Sequence, residues 1–378
     1  MTWLFIEAED VWFFRDTRSF GRGEDHVAGC LFPPFPATVA GAIRARVIGE
    51  HPHWEQNAFN NGSDTDLFNR IGKPDDLGPY FRLRGPFLAR RMADGTIHQY
   101  YPLPKDTFFE DVEESQFGVL RPHNLDGLNT NWETGAETCA PLWPPKGERK
   151  DGVEEDYWLS PIAVEFYQQQ EKFSATPKNE FYIYEERTGI ARDWRTRRAE
   201  KHMLYLARFV RPKPNTGLLV WVANEVQLPE SGWLSLGGES RAARFQRIEE
   251  SQVRLSDKFI TTGKQRLKVI LLTPSYFQEG WRPQGGDWSK VGLPAGAKLR
   301  ATALGRPLVV SGWDIARGPQ KPLRTFVPAG SVYYFEWNEP LQTELEPSQI
   351  TFTEEGPGGH YHRLGLGQIL LADWDWEP

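Results

Sequence analysis

The sequence predicts an α+β fold of two small sheet-and-helix sandwiches with long loops. The clearest buried strands, 217–223 and 266–273, are apolar runs in the second half of the chain. The first half opens with a strand, a loop and a helical repeat at 37–48. Between regular segments, periodicity gives way to Pro, Gly, Asn and acids over 50–73 and 102–156, which is typical of insertions.

The first half contains one well-marked helix and several strands. Val39, Ile43 and Val47 recur at helical spacing, with small residues between them that permit close packing. Alternating or continuous apolar residues predict strands at 3–7, 80–92, 181–185 and 203–210, and a short helix at 160–170. An extended segment at 10–14 leads into a glycine-containing loop at 20–29.

The second half begins at the turn-rich joint PKPN, residues 212–215. Strands are predicted at 217–223, 266–273, 331–337 and 368–372, and strong helical patterns are scarce. We therefore expect one domain over 1–212, carrying an acidic insertion at about 102–156, and a second over 213–378.

Composition is that of a globular chain with large cores. The 378 residues are 39% hydrophobic and 13% aromatic, enough to fill two domains. The 15 Trp show no fixed repeat, which favours core and interface roles. Cys30 and Cys139 are the only cysteines, which fits a reducing cytoplasm, and no apolar run of 18 residues predicts a membrane span.

The stretch 187–213 carries nine Lys or Arg against only Asp193 and Glu200. Such density is typical of a surface that binds a polyanion, and Trp194, His202 and Tyr205 offer flat partners for bases. The alternative is a basic surface loop that pairs with acids elsewhere in the chain.

The acidic charge is segregated from this stretch. The net charge of the chain is −7, but residues 106–156 hold thirteen acids against four basic residues, so the remainder is slightly basic. A local positive field near 187–213 can therefore still attract phosphate.

A second candidate site lies near the C-terminus. Five glycines fall within residues 356–367, interleaved with His360, His362 and Arg363. Glycine lets a backbone approach a phosphate closely, although a flexible turn before the strand at 368–372 would also explain several of them. The segment 236–245 shows the same combination of glycines and basic side chains in a shorter form, since Gly237-Gly238 precedes Arg241 and Arg244.

Motifs for catalysis, metals or cofactors are missing from the sequence. No Walker loop, dinucleotide-binding glycine motif, G-x-S-x-G or Cys cluster occurs, so we expect no metal and no cofactor. A general acid or base for RNA cleavage would have to be His26 or His202, and a lone His among cations is more often a contact than a catalyst.

Taken together, these segments resemble the RAMP superfamily of CRISPR proteins, and within it the family of the third subunit of the type III-B Cmr effector complex. The resemblance lies in motifs spread in order along the chain: FRDTRSF at 14–20, PPFPATVAGAIR at 33–44, LGGESR at 236–241, LTP at 272–274 followed by Gly280-Trp281, SGWD at 311–314 and PAGSV at 328–332. Pro357 departs from the family pattern, because a hydrophobic residue usually stands there.

The resemblance implies two ferredoxin-like (RRM-like) domains and a C-terminal glycine-rich loop that contacts guide RNA. It also implies a non-catalytic subunit in antiviral defence that grips the 5′ tag of the crRNA. The partners it implies are the large polymerase-like subunit and the adjoining backbone subunit. We expect Arg15, Arg18 and Arg44 to form one tag-binding cleft with the glycine loop.

The complete set of expected RNA contacts is Arg15, Arg18, Arg44, Arg187, Arg195, Arg197, Arg198, Lys201, His202, Arg241, Arg244, Gly358, Gly359, His360, His362, Arg363, Gly365 and Gly367. Two other functions stay open. One is a metal-independent endoribonuclease of the same superfamily that processes precursor crRNA with His26 or His202. The other is a Trp-rich carbohydrate-binding or glycan-acting protein that uses acids of 106–156.

Overall fold

The computed structural model describes residues 2–17, 27–123, 139–145, 156–192, 195, 199–256, 263–312, 321–342, 344–356 and 359–376, with only the backbone given at 27, 191–192 and 199–204. The chain is mixed α and β, rich in strands and poor in helices. Its contacts separate it into two units. The first unit comprises Met1–Gly95, Asn179–Gln252 and Val309–Arg324, and the second comprises Thr96–Lys178, Val253–Leu308 and Thr325–Pro378.

The described residues contain four α-helices and twenty-four strands. The helices are α1 Pro36–Glu50, α2 Gln56–Asn61, α3 Thr65–Ile71 and α4 Pro161–Gln168. The strands are β1 Thr2–Ala8, β2 Val27–Ala28, β3 Leu83–Arg91, β4 Ile97–Gln99, β5 Tyr101–Pro102, β6 Thr107–Asp111, β7 Gln116–Val119, β8 Arg121–Pro122, β9 Leu142–Trp143, β10 Tyr157–Leu159, β11 Phe173–Ser174, β12 Thr176–Pro177, β13 Tyr182–Arg192, β14 Ala199–Pro212, β15 Thr216–Val222, β16 Ser231–Ser235, β17 Ala242–Ile248, β18 Val253–Arg254, β19 Arg266–Leu271, β20 Lys298–Ala303, β21 Leu308–Val310, β22 Arg324–Phe326, β23 Val332–Glu336 and β24 Ile369–Ala372.

The first unit is built on an antiparallel sheet in the spatial order β16-β17-β1-β15-β3. The central strand β1 pairs on one side with β15, where Phe5 lies opposite Leu219, and on the other with β17. Helix α1 starts at Pro36, whose fixed φ suits a first helical position, and buries Val39, Ile43 and Val47. It packs against the sheet with contacts to β16 and β3. The predicted helix and opening strand are confirmed.

A long hairpin extends from the first unit. Strands β13 and β14 pair antiparallel from Tyr182 opposite Pro212 to Arg192 opposite Ala199. Strand β2 pairs in parallel with β14 at Leu206 and Ala207. We call residues 182–212 the basic hairpin. The apolar run at 203–210 is therefore half of a much longer strand.

The second unit centres on an antiparallel sheet in the order β20-β23-β19-β24. One face packs against Phe277, Trp288 and Phe352 of the connecting segments. The other packs against α4 and the strands that follow residue 100, including Phe109 and Phe117. Both faces of this sheet are thus covered.

A buried ionic cluster joins those two layers. The Lys268 ammonium on β19 lies 3.1 Å from Asp106, and both side chains are essentially inaccessible to solvent. The hydroxyls of Tyr167 and Tyr334 donate to the same carboxylate at 2.9 and 2.5 Å. Burial lowers the pKa of Lys268, and the neighbouring carboxylate opposes that effect. A buried charge persists only when paired and hydrogen-bonded in this way.

The expectation that 102–156 is an insertion outside the core is wrong for its described part. Strands β6 and β7 bury Phe108 and Phe117 completely. Residues 50–73 likewise contain α2 and α3, and α3 buries Leu67 and Ile71. These elements are only four to seven residues long, too short to produce a recognisable hydrophobic period.

The two units also differ from the expected division at residues 212 and 213. Strand β15 follows that joint, yet it pairs with β1 and β3 from the first hundred residues. Main-chain pairing therefore assigns it to the same sheet as the N-terminus. In the described part of the chain, no helix is long and apolar enough to cross a membrane.

Candidate nucleic-acid interface

The nine cations of 187–213 lie on the basic hairpin, around its tip or just after it. The last residue pair shared with β2 is Leu206 opposite Val27. From Thr188, opposite Leu206, to Arg192 the ribbon runs on for four residues, or about 13 Å at the rise of a strand. We therefore divide the stretch into two parts. The tip is residues 192–201, and the base is the rest of the hairpin, which includes Arg187 and Arg211.

At the base, two arginines and two acids neutralise each other. Arg187 donates to Asp10 at 3.0 Å and to Glu185 at 2.7 Å. Arg211 donates to the same two carboxylates at 2.8 and 2.5 Å. The hydrogen bonds from Arg187 and Arg211 lower the pKa of Asp10, and those from Arg211 and Arg187 lower that of Glu185. The base therefore offers little net charge to a phosphate.

Aromatic packing holds the same arginines in place. The guanidinium groups of Arg187 and Arg241 lie 4.9 and 5.0 Å from the centre of the buried Phe209 ring. Arg241 also pairs with Glu239 at 2.5 Å. Tyr205 lies across Gly189, since a Cβ added at that glycine would fall 2.1 Å from its ring. Tyr205 thus covers the hairpin backbone. This packing role explains the tyrosine without stacking on a nucleotide base.

The expectation that the whole stretch is too dense for counter-charges is wrong at the base. Arg187 and Arg211 share Asp10 and Glu185, and two further cations also have partners. Arg208 pairs with Glu186 at 2.7 Å, and Lys213 lies 3.8 Å from Glu180. The acids Glu180, Glu185 and Glu186 precede Arg187 in the chain. The hairpin register places Glu186 opposite Arg208, and the fold brings Glu185 and Glu180 close to Arg211 and Lys213. That nearby run of acids is the signal that sequence reasoning overlooked.

The remaining positive charge belongs to the tip. It comprises Arg192, Arg195, Arg197, Arg198 and Lys201, against Asp193 and Glu200. Arg195 is exposed. Lys201 and His202 are placed on β14 by their backbone alone, while Trp194, Arg197 and Arg198 lie outside the described residues.

The glycine loop, residues 356–367, is organised around Tyr361. The Tyr361 ring packs edge-on against Tyr276 and Phe326, at centroid distances of 5.3 and 5.6 Å. Its N–H donates to Glu355 at 2.9 Å. Glu355 also bonds His362; burial opposes ionisation of Glu355, but the bonds from His362 and the Tyr361 N–H prevail and lower its pKa.

The glycines of this loop have different roles. Gly367 has a φ of +66°, and a Cβ there would lie 2.8 Å from the Phe352 carbonyl carbon. Gly365, with φ +92°, ends the short 3-10 turn His362–Leu364. Gly359, with φ +53°, has open space where a Cβ would stand. Gly367 therefore accommodates the chain's own backbone. Of the described glycines in this loop, Gly359 is the better placed to meet a ligand. Gly358 lies outside the described residues.

Other expected contacts lie elsewhere in the first unit. The Arg44 guanidinium is mostly buried and donates to the carbonyls of Ile71 at 3.0 Å and Lys73 at 2.6 Å, and burial lowers its pKa to about 10. Arg44 thus supports the end of α3. Arg15 is exposed and Arg244 is exposed on β17, while Arg18 lies outside the described residues.

The described residues offer little for catalysis. Burial raises the pKa of the Cys30 thiol to about 11, so the thiolate needed for nucleophilic attack is scarce at neutral pH. Among the described residues, no three His, Cys, Asp or Glu side chains are grouped to hold a metal ion. His26 lies outside them.

Comparisons with known proteins point to one family. The family described as CRISPR-associated protein (Cas_Cmr3) matches residues 4–374. No curated protein shows significant similarity to the chain.

Several solved structures match most of the chain at low sequence identity. A chain of the Type III-B Cmr-beta complex bound to cognate target RNA and AMPPnP matches with TM-score 0.48 and 16% identity, over 88% of this chain and 86% of that chain. A chain of the Type III-B Cmr-beta complex bound to cognate target RNA matches over the same shares of the two chains, with TM-score 0.45 and 18% identity. A chain of the Csm3-Csm4 subcomplex of the type III-A CRISPR-Cas interference complex matches with TM-score 0.36 and 10% identity, over 99% of this chain and 100% of that chain. Because the family match spans nearly the whole sequence, the chain belongs to the Cas_Cmr3 family of CRISPR-associated proteins.

Proposed function

We propose that this chain is a non-catalytic, guide-RNA-binding subunit of a type III-B CRISPR (Cmr) ribonucleoprotein. In this role it grips the 5′ tag of the crRNA and contacts the large polymerase-like subunit and the adjoining backbone subunit in antiviral defence. The observation that carries the proposal is the family match over residues 4–374. A cytoplasmic location is part of the same proposal, because both cysteines are free thiols.

The tip of the basic hairpin is the proposed main contact with RNA. Residues 192–201 hold five cations against two acids in the sequence, and the described strand β13 reaches Arg192 about 13 Å past the level of its last pair with β2. The base of the ribbon is neutralised by Asp10 and Glu185, so phosphate would be attracted to the tip. Arg187 and Arg241 accordingly act as supports in this proposal and not as phosphate ligands.

The glycine loop is the proposed second contact. Gly359 has open space at its Cβ position beside His360, while Tyr361 in the middle of the loop and Gly367 at its end pack against the second unit. A backbone amide near a small residue can approach a phosphate oxygen closely. Arg363 and His362 lie in the same segment, and His362 is bonded to Glu355.

Both units are proposed to be ferredoxin-like. In the first unit, the strands β1, β3, β15 and β17 lie in the spatial order fourth, first, third, second. In the second unit, β19, β20, β23 and β24 repeat that order, and all neighbouring pairs are antiparallel. Helix α1 occupies the first crossover of the first unit, and short 3-10 turns replace helices in the crossovers of the second.

The two alternative functions have less support. The acid at the start of the proposed glycan site, Asp106, is fully buried against Lys268 and cannot meet a sugar. For the endoribonuclease, neither candidate catalyst can be placed at a site, because His26 and the side chain of His202 lie outside the described residues.

The proposal can be tested by the salt dependence of RNA binding. The purified chain would be titrated with an RNA carrying the 5′ tag at several salt concentrations, comparing wild type with a triple Arg195→Gln, Arg197→Gln, Lys201→Gln variant. Each lost phosphate contact should reduce the slope of log K against log salt by about 0.7, so the triple variant should lose about 2.

A matched control is Arg247→Gln, which removes one positive charge from the surface pair with Glu230 in the same unit. It should leave the slope unchanged. Equal slopes for wild type and the triple variant would refute the tip as a phosphate site. RNA incubated with the chain, with and without Mg²⁺, should remain intact; products abolished by His202→Ala would instead support the endoribonuclease.

A further inference from the structure

Strand β16 forms one edge of the sheet in the first unit, with β17 on its inner side. Two main-chain hydrogen bonds show which residues of β16 bond to β17. The Arg247 N–H donates to the Glu230 carbonyl, and the Leu236 N–H donates to the Arg241 carbonyl, both at 2.8 Å. Hydrogen-bonded and non-bonded positions alternate along an antiparallel strand, so Gly232 and Leu234 bond to β17. The amides and carbonyls of Ser231, Trp233 and Ser235 point outward, and no described residue pairs with them.

This edge lacks the features that usually protect one. Strand β16 reads SGWLS, with no Lys, no Pro and no bulge in its five-residue register with β17. Ser231 and Ser235 are exposed, and the large apolar side chain of Trp233 is 48% exposed. An uncharged, regular edge of this kind is a template for another strand.

Three other edge strands among the described residues are covered by hydrogen bonds or carry charged side chains. In the second unit, the Ala140 N–H donates to the Arg300 carbonyl on β20, and the Gln168 side chain donates to the Leu371 carbonyl on β24. In the hairpin, β13 carries Glu185, Glu186 and Arg187, which discourage pairing by charge. The bare edge of β16 therefore differs from the edges formed by β20, β24 and β13.

We propose that β16 is a docking edge for an extended strand of another protein subunit, which adds to the sheet by main-chain hydrogen bonds. The unpaired N–H and C=O groups of β16 repeat at every second residue. Another extended strand presents its own N–H and C=O groups at the same spacing, and nucleic acid does not. The partner strand places an apolar or aromatic side chain opposite Trp233, because cross-strand aromatic pairs stabilise such contacts.

The inference rests on the proposed function only in that the chain assembles with other subunits. It does not depend on how the chain binds RNA. The hairpin tip and β16 are separate segments, so each can be altered without changing the other.

Hydrogen–deuterium exchange at single-amide resolution tests the proposal. It would be measured on the full chain alone, on the chain with guide RNA alone, and on the chain in the ribonucleoprotein reconstituted from all its subunits and guide RNA. The amides of Gly232 and Leu234 should be protected in all three. Those of Ser231, Trp233 and Ser235 should exchange freely in the first two and slow by about tenfold or more in the third, as expected for one added hydrogen bond each.

A Trp233→Lys variant places a protecting charge on the edge, and Trp233→Tyr keeps an aromatic side chain there as its control. The Lys variant should keep the Gly232 and Leu234 protection in isolation, which shows that β16 still folds, and should lose the assembly-dependent protection; the Tyr variant should keep both.

Three outcomes would overturn the inference: outward amides that stay unprotected in the assembled particle, protection by guide RNA alone, or protection in the isolated chain through self-association. Failure of the chain to enter the particle at all would count instead against the proposed function.

Discussion

Replacing Lys268 by Met should destabilise the second unit by leaving Asp106 buried without its cation. Lys268 lies 3.1 Å from Asp106, and both side chains are almost completely inaccessible. The Tyr167 and Tyr334 hydroxyls, at 2.9 and 2.5 Å, would still donate to the carboxylate. Met nearly matches the aliphatic part of Lys, so the change removes the charge with little loss of packing.

The magnitude follows from the cost of breaking a buried ion pair. Removing one partner of such a pair costs about 3–5 kcal/mol, so we expect the Lys268→Met variant to lose about that much stability.

The assay is urea unfolding followed by tryptophan fluorescence, to which Trp374, packed 5.4 Å from Tyr334, contributes among the 15 Trp of the chain. The matched control is Lys264→Met, which breaks a half-exposed pair with Asp373 and should cost less than about 1 kcal/mol. The double variant Lys268→Met, Asp106→Asn removes both charges and should recover most of the loss.

A Lys268→Met loss no greater than that of Lys264→Met would refute the reasoning. So would a double variant no more stable than the single one.

Two further predictions concern the candidate interface. Gly367→Ala should lower stability by well over the roughly 1 kcal/mol of a left-handed residue, because its Cβ would meet the Phe352 backbone at 2.8 Å. Gly359→Ala, with open space at that position, should cost about 1 kcal/mol at most, and thermal unfolding of both would show whether the difference exists. Asp10→Asn should destabilise the chain at pH 6, and the difference from wild type should shrink as the pH is lowered. The folded-state pKa of Asp10 is lowered by its bonds to Arg187 and Arg211, so its stabilisation is complete above the unfolded value and is lost as pH falls through the folded one. A stability difference from wild type that does not shrink as the pH is lowered would contradict this.

Sequence reasoning performed best where one segment carries its own pattern. The apolar run of β19 and the 3.6-residue spacing of α1 are properties of neighbouring residues, and both elements appear where they were predicted. It failed for β6 and β7, whose buried Phe108 and Phe117 stand among acids that mask the alternation. It also failed to place β15, because strand pairing joins residues more than a hundred positions apart.

The candidate interface divides in the same way. The sequence by itself determined that cations are concentrated at 187–213 and that glycines are concentrated near the C-terminus, since charge and composition are local quantities. Only the tertiary structure decided which cations are neutralised. The hairpin register and the segment before α1 bring Glu185 and Asp10 to Arg187 and Arg211, and ion pairing depends on distances of a few ångströms that no linear pattern contains.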